Sequence, residues 1–469
     1  EMDGHDEINI SHGLLRQWTE STNQIYLIND RDSDLAKQKR SNVVKALENL
    51  QWTITNDNIE LKINPKKAYL GRITPTISIR NNSLINFKKL YWERGVLSHD
   101  DVLFFSYHLI HQFPFITDIL VAKFPYIFID EFQDSNPIQV EIIKKIATKN
   151  AVIGVIGDVA QSIYEFQGAD CTQFQLFNLP NLNNYVLEEN RRSSNEIIDV
   201  LNFIREDISQ TKFRNINKGL PIIFIGDMTL ALREAKNICD RENVHTLSRN
   251  NITSNAMKTE ISGYNLDNTL LKRIKEIDSN TDRSKLIYSC IKAISYGKEN
   301  KFKDAIKVLE KQFNYRNDKL KGRKKALRYL TMLLGKYEEY KDFTLINFAN
   351  FIRENLDSTL SNFRTGAPKT FYETYTFNQL SLCVSIPEDL SLHKTIHKAK
   401  GDEFDNVLLV LKQENDVDFL LNKNLSNNEE YRVNYVACSR AMNRLFISVP
   451  TLSEENQEIL IPLFETIRL

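Results

Sequence analysis

Cysteine is scarce: five in 469 residues, at Cys171, Cys239, Cys290, Cys383 and Cys438, with no CxxC pair among them. Such scattered thiols exclude a disulfide framework and a cysteine zinc site, and they predict a reduced, intracellular protein. Long apolar runs are also missing. Nothing approaches the roughly 20 residues that span a bilayer, and no signal-peptide pattern is present. The sequence therefore predicts a soluble, cytoplasmic protein without a membrane partner. Net charge is absent too, with 61 basic residues against 61 acidic ones. No global field announces a polyanionic ligand, although a local basic groove on a neutral protein still binds phosphates. There is no internal repeat and no long low-complexity segment. What is present is 42% hydrophobic content, enough for a sizeable core in about two to four domains.

Residues 15–95 mix short helical patterns with polar, Asn- and Lys-rich stretches. In "DSDLAKQKRSNVVKALENLQW" the residues Leu35, Val43, Val44, Leu47 and Leu50 recur at helical spacing. A second amphipathic pattern covers 100–123. Short apolar runs at 126–129, 151–156, 221–225, 406–411 and 445–449 read as buried strands, with helical segments at 137–147 and 194–204 between them. Strands alternating with helices predict an α/β core with parallel sheets. From 251 to 382 the pattern changes to apolar residues at three- and four-residue steps, such as Phe302, Ala305, Ile306 and Leu309. That stretch is expected to form a helical insertion domain.

Chemistry concentrates in a few stretches. "YIFIDEFQDSNPIQ" ends an apolar strand on Asp130 and Glu131. Ligands of open α/β sheets bind at the carboxyl ends of strands. One carboxylate there suits magnesium, and its neighbour suits activation of a water. A strand merely leaving the core into a polar turn gives the same pattern. "VIGVIGDVAQSIYEFQGAD" places Gln161, an amide able to sense a phosphate, before the aromatics Tyr164 and Phe166. Those rings suit base stacking, and equally an ordinary core. "LEENRRSSNEII" sets Arg191 and Arg192 before a helix, as phosphate-binding forks or as solvated arginines preceding a cap. "KTIHKAKGDEFDNVLLVL" crowds Thr395, His397 and Lys400 before Gly401 and Glu403, and "EEYRVNYVACSRAMNRLFISV" carries Arg440 at the end of a helical pattern.

Each stretch is ambiguous alone. In order, "DEFQD", "GDVAQSIYEFQGA", "LEENRRS", "TIHKAKGDEF" and "NYVACSRA" resemble the motif series of the UvrD/Rep group of superfamily 1A helicases, with "HTLSRNN" at 245–251 falling between the third and fourth. The resemblance covers about 98–449 apart from the helical insert. It implies two RecA-like P-loop NTPase domains with parallel sheets, clamping ATP and Mg2+ between them, and single-stranded or partly duplex DNA as the track. By that likeness Asp130 holds magnesium, Glu131 activates water, Gln161 senses the terminal phosphate, and Arg192 and Arg440 complete the phosphate cage. Arg191 and Gly401 lie at the nucleotide, and Glu403 at its ribose. Tyr164 and Phe166 lie on the DNA path, with Thr395 and His397 near its backbone. The implied domains are 1–14 as a remnant of the first RecA-like domain, 15–95 as its insertion, and 96–184 as the rest of it. The second RecA-like domain then takes 185–250 and 383–469, with 251–382 inserted.

Departures accompany the likeness. Arg191 stands where the family has an adenine-stacking Tyr or Phe, Gln167 replaces an Arg, and Asp402 replaces a Leu. No G-x-x-x-x-G-K-[ST] loop occurs, since Gly297-Lys298 and Gly335-Lys336 continue into Glu299 and Tyr337. "INISHGLLRQW" faintly matches an early DNA motif of the family through His12, and the first residue is Glu1. These features lead to the expectation that the phosphate loop lies upstream. The resemblance implies an ATP-dependent DNA helicase or translocase, 3′ to 5′. A regulatory DNA-binding subunit with a degenerate ATP site stays open as an alternative. The compact organisation also resembles helicases of the Gabija antiphage system, which act with an OLD-type nuclease partner; a general repair role is the rival.

Overall fold

The computed structural model describes residues 10, 12–28, 34–55, 58–63, 79–262, 266–313, 318–386 and 391–469. These divide into two compact units. The larger holds Glu188–Lys423 and Asn434–Leu469, and the smaller holds Gly4–Leu187 and Asn424–Val433. Both are α/β with parallel pairing.

In the larger unit six strands form one sheet, in the order Glu465–Arg468, Ile222–Ile225, Ala441–Val449, Phe404–Val410, Val244–Ser248, His393–Thr395, every pair parallel. Strands covered on both faces read as continuous apolar runs, and the central ones do so here: Val407 to Val410 and Leu445 to Val449 are all buried. The strands anticipated at 221–225, 406–411 and 445–449 are present. The outer strands His393–Thr395 and Glu465–Arg468 went unread in the sequence because "HKT" and "ETIR" are short and polar. Helix Met228–Ile238 packs on the sheet, capped by Asp227, whose carboxylate accepts from the backbone of Thr229 and Leu230.

The anticipated helical insert is observed as a run of helices from Leu270–Ile277 to Phe377–Ser381 around its own core of Ile291, Tyr340, Phe348, Phe351 and Phe377. A buried ion pair, Arg283 to Asp278 at 2.6 Å, anchors it, and the Tyr372 hydroxyl donates to Asp278 at 3.0 Å.

The smaller unit packs helices His12–Ser21, Asn81–Trp92 and His99–Gln112 with an antiparallel hairpin, Leu50–Thr55 against Asn58–Ile63. The sequence reading missed this hairpin inside a polar stretch. Trp52 fixes it to the core by stacking on Phe104 at 3.9 Å. The helical pattern at 100–123 is in fact two helices, His99–Gln112 and Phe115–Lys123, because Pro114 cannot continue the first. Strands Tyr126–Ile129 and Val152–Val155 form a separate two-stranded parallel sheet. Here the expectation of a buried strand is corrected: Tyr126 and Phe128 are 66% and 68% exposed. They share one face by the two-residue period, and that face is open. Phe128 lies across Gly154, where a Cβ would come within 2.4 Å of its ring. Among the described residues no helix is long and apolar enough to cross a membrane.

Asp101 is the polar anchor of the smaller unit. Its carboxylate meets Lys88 at 3.0 Å and accepts from Trp52 at 2.9 Å and from the Ser98 backbone at 2.9 Å, all nearly out of solvent. Burial pushes its pKa up, but Lys88, the Trp52 indole and the Ser98 N–H outweigh that and hold it below the usual value. A depressed carboxyl stabilises the fold above its unfolded pKa and loses that contribution as pH falls through the folded one. Asp101→Ala is expected to cost about 3 kcal/mol at neutral pH, because it strands a buried ammonium. In urea titrations the deficit should shrink below about pH 4; a deficit that does not change with pH would contradict this role.

Candidate active site

The strand Tyr126–Ile129 delivers Asp130 and Glu131 to its carboxyl end, both exposed. Glu131 takes a left-handed conformation, φ 52°, which costs a side-chain-bearing residue about 1 kcal/mol. The turn is supported locally, since the Glu131 N–H donates to Asp130 Oδ1 at 2.8 Å. It is supported from below by Gln133, a fully buried amide. Gln133 Nε2 donates to Glu131 Oε2 at 2.6 Å, and Gln133 Oε1 accepts from the Asp158 backbone N–H at 3.0 Å. One side chain thereby stitches together the carboxyl ends of both strands. Asp158 carries the connection onward, accepting from Ala160 N at 3.0 Å and from Gln161 Nε2 at 2.9 Å. Glu131 and Gln161, two residues singled out in the sequence, thus stand in one hydrogen-bonded chain.

Gly157 is required by this arrangement. A Cβ there would lie 2.5 Å from Gln133 Oε1 and 3.2 Å from the Gln133 backbone nitrogen. Tyr164 and Phe166 follow, both half-buried, with ring centroids 6.0 Å apart at 46°. The Tyr164 hydroxyl is pushed above its usual pKa by burial first, then by the carboxylates of Asp134 and Glu131. The Tyr164 hydroxyl therefore feels the charge of Asp134 and Glu131.

The larger unit assembles a second group at the amino edge of its sheet. Phe404 pairs with Ala441, and its N–H donates to the Arg440 carbonyl at 3.0 Å, so Glu403 and Arg440 enter neighbouring strands side by side. Arg192 forks onto Glu403, with Nε at 2.7 Å and Nη2 at 2.6 Å from Oε1, and its Nη1 donates to the Ser439 carbonyl at 3.2 Å. The Arg192 backbone is fixed by Asn190 Oδ1, which accepts from its N–H at 2.9 Å, and by Arg214, which donates to its carbonyl. Arg440 is 2% exposed and donates to Ser439 Oγ at 3.0 Å.

Arg191 points elsewhere. It pairs with Glu189 at 2.6 Å and stacks over the exposed ring of Phe213 at 4.0 Å. Gly401 is exposed with φ +84°, and a Cβ there meets nothing within 4 Å, so conformation and not crowding favours glycine. Thr395 and His397 are buried, at 1% and 7% exposure. His12 opens the helix His12–Ser21, and its side chain lies outside the described residues.

The sequence reading passed over Gln133, Asp158, Phe213 and Arg214. Gln133 had a signal, its place inside "DEFQD". Phe213 had none, since its partner is 22 residues earlier and the link exists only in the fold. Gly157→Ala is expected to force Gln133 out of place and to cost about 1–3 kcal/mol in urea unfolding. Wild-type stability in that variant would show that the close approach is not needed.

The family model of the UvrD/REP helicase N-terminal domain matches residues 6–180, and that of the UvrD-like helicase C-terminal domain matches 268–451. Among curated relatives, the ATP-dependent DNA helicase PcrA of Bacillus subtilis is 30% identical over 181 residues, which cover 34% of this chain and 24% of that protein. PcrA of Staphylococcus aureus is 34% identical over 118 residues, 25% of this chain and 16% of the relative. The RecBCD enzyme subunit RecB of Buchnera aphidicola is 37% identical over 107 residues, 23% of this chain and 9% of the relative. The chain spans a quarter or less of the length of these relatives.

Proposed function

The chain belongs to the UvrD/Rep-like helicases, and from that premise we propose that it forms the hydrolytic and DNA-tracking part of an ATP-dependent DNA helicase or translocase. The observation that carries this is the chain Glu131–Gln133–Asp158–Gln161, which joins a water-activating carboxylate to a phosphate-sensing amide. Glu131 would orient the attacking water and accept its proton, with Gln133 holding the carboxylate in place. Gln161 would report the state of the terminal phosphate to the segment bearing Tyr164 and Phe166. The exposed Asp130 suits Mg2+, which takes one or two carboxylates and completes its shell with waters and phosphate oxygens. Bound there, the ion would offset phosphate charge.

In the larger unit Arg192 and Arg440 are the candidate phosphate-binding cations. The Arg192–Glu403 pair is partly solvated, 30% and 47% exposed by side chain, so it is worth about 1 kcal/mol or less. A charge-assisted bond to a phosphate replaces such a pair readily. Arg191, backed by Phe213, offers a flat guanidinium for a nucleobase. On the same reading 15–95 and 251–382 are insertions into two RecA-like domains; the separate core running from Leu270 to Ile386 supports the second, while Ile252, Ala256 and Met257 pack with the sheet. Thr395, His397 and His12 are assigned to DNA, by resemblance alone. So are 3′ to 5′ polarity and antiphage work beside an OLD-type nuclease. That last reading fails if the protein purified from its host carries no nuclease.

The alternative is a DNA-binding regulatory subunit with a degenerate ATP site. ATPase assays on the protein expressed from its complete gene separate the two. The motor reading expects turnover stimulated by single-stranded DNA and lowered at least about 100-fold by Glu131→Gln; no turnover with or without DNA favours the regulatory subunit. Arg191→Ala is expected to raise KM for ATP roughly threefold to tenfold with little change in kcat. An unchanged KM would remove Arg191 from the base site.

A further inference from the structure

Arg432 lies in the helix Glu429–Ser439, yet it is only 1% exposed. A guanidinium withdrawn from water needs its donors satisfied and its charge balanced. Within the smaller unit both conditions are met. Nε donates to the Ser162 carbonyl at 2.7 Å, and Nη1 donates to the carbonyls of Leu425 at 2.9 Å and Ser426 at 3.2 Å. Nη2 forms an ion pair with Glu165, whose side chain is 22% exposed. The Glu165 N–H in turn donates to Glu429 Oε1 at 3.2 Å.

These contacts hold the chain on both sides of Tyr164. Three residues beyond Glu165, Gly168 adopts φ +95°, and a Cβ there would meet the flexible Gln51 side chain at 1.8 Å. The short helix Glu165–Gln167 is therefore clamped at its start by Arg432 and closed at its end by Gly168, whose left-handed backbone favours glycine. Between the clamps sit the rings of Tyr164 and Phe166.

We propose that Arg432 and Glu165 are positioning residues, a buried latch that holds Tyr164 and Phe166 in the arrangement that receives the bases of single-stranded DNA. The proposal rests on the DNA-motor reading and adds two residues to it. It predicts an effect opposite in sign to simple electrostatics. Removing a carboxylate beside a polyanion strengthens binding if charge alone matters, whereas losing the latch weakens it.

The test is fluorescence anisotropy of labelled oligothymidylate with the protein expressed from its complete gene, at fixed salt. Glu165→Ala is expected to weaken binding about tenfold, the scale of a lost base stack. Glu165→Gln keeps an acceptor for Arg432 and disturbs the fold less; it should weaken binding in the same direction by a smaller factor. In the double variant Tyr164→Ala with Phe166→Ala, adding Glu165→Ala should produce no further loss, because the latch acts only through those rings. Wild-type or tighter binding by both Glu165 variants overturns the latch, as does a loss that simply adds to that of the aromatics. If the wild type itself fails to bind oligothymidylate, the DNA-motor reading falls, and the latch with it.

Discussion

One buried amide governs the geometry of the carboxylate site. Gln133 faces two ways, donating to the Glu131 carboxylate and accepting from the Asp158 backbone. Its burial makes both bonds obligatory, since an unpaired buried amide group costs about 1–3 kcal/mol. The left-handed Glu131, the bare Gly157 and the turn bearing Gln161 all follow from satisfying that amide. Strain at Glu131 persists because the surrounding hydrogen bonds over-determine it.

The two units meet their electrostatic needs differently. In the smaller one the carboxylates Asp130 and Glu131 are exposed and oriented by neutral groups, which leaves them open to a cation and a water. In the larger one Arg192 is held by a solvated carboxylate and Arg440 by the polar end of its own helix. Arg192 thus sits in a partly solvated pair, unlike the dry pairs that Arg283 makes with Asp278 and Arg432 with Glu165. Weakly held cations suit exchange of partners; dry pairs suit permanent structure.

Much of the fold was legible from local pattern. The central strands and the helix Pro137–Ala147 follow from apolar runs and periodicity. The motif carboxylates, Gln161 and the arginines were singled out because chemistry-bearing residues keep a recognisable order. What escaped was non-local or short. The edge strand "ETIR" has no apolar run, and the hairpin at 50–63 gains its identity from Trp52 stacking on a helix beyond it. Exposure of Tyr126 and Phe128 depends on what packs over that face of the sheet, which no strand reveals by itself. The Arg432–Glu165 pair joins residues 267 positions apart, so nothing in either motif discloses it.

The central claim is that Gln133 places Glu131 for proton transfer without binding nucleotide itself. Steady-state ATP hydrolysis with saturating single-stranded DNA, comparing wild type with Gln133→Ala in the protein from its complete gene, tests it most directly. The account predicts that kcat falls at least about tenfold while KM for ATP stays within twofold, the mark of an interaction needed only in the transition state. An unchanged kcat, or a loss confined to KM, would contradict it.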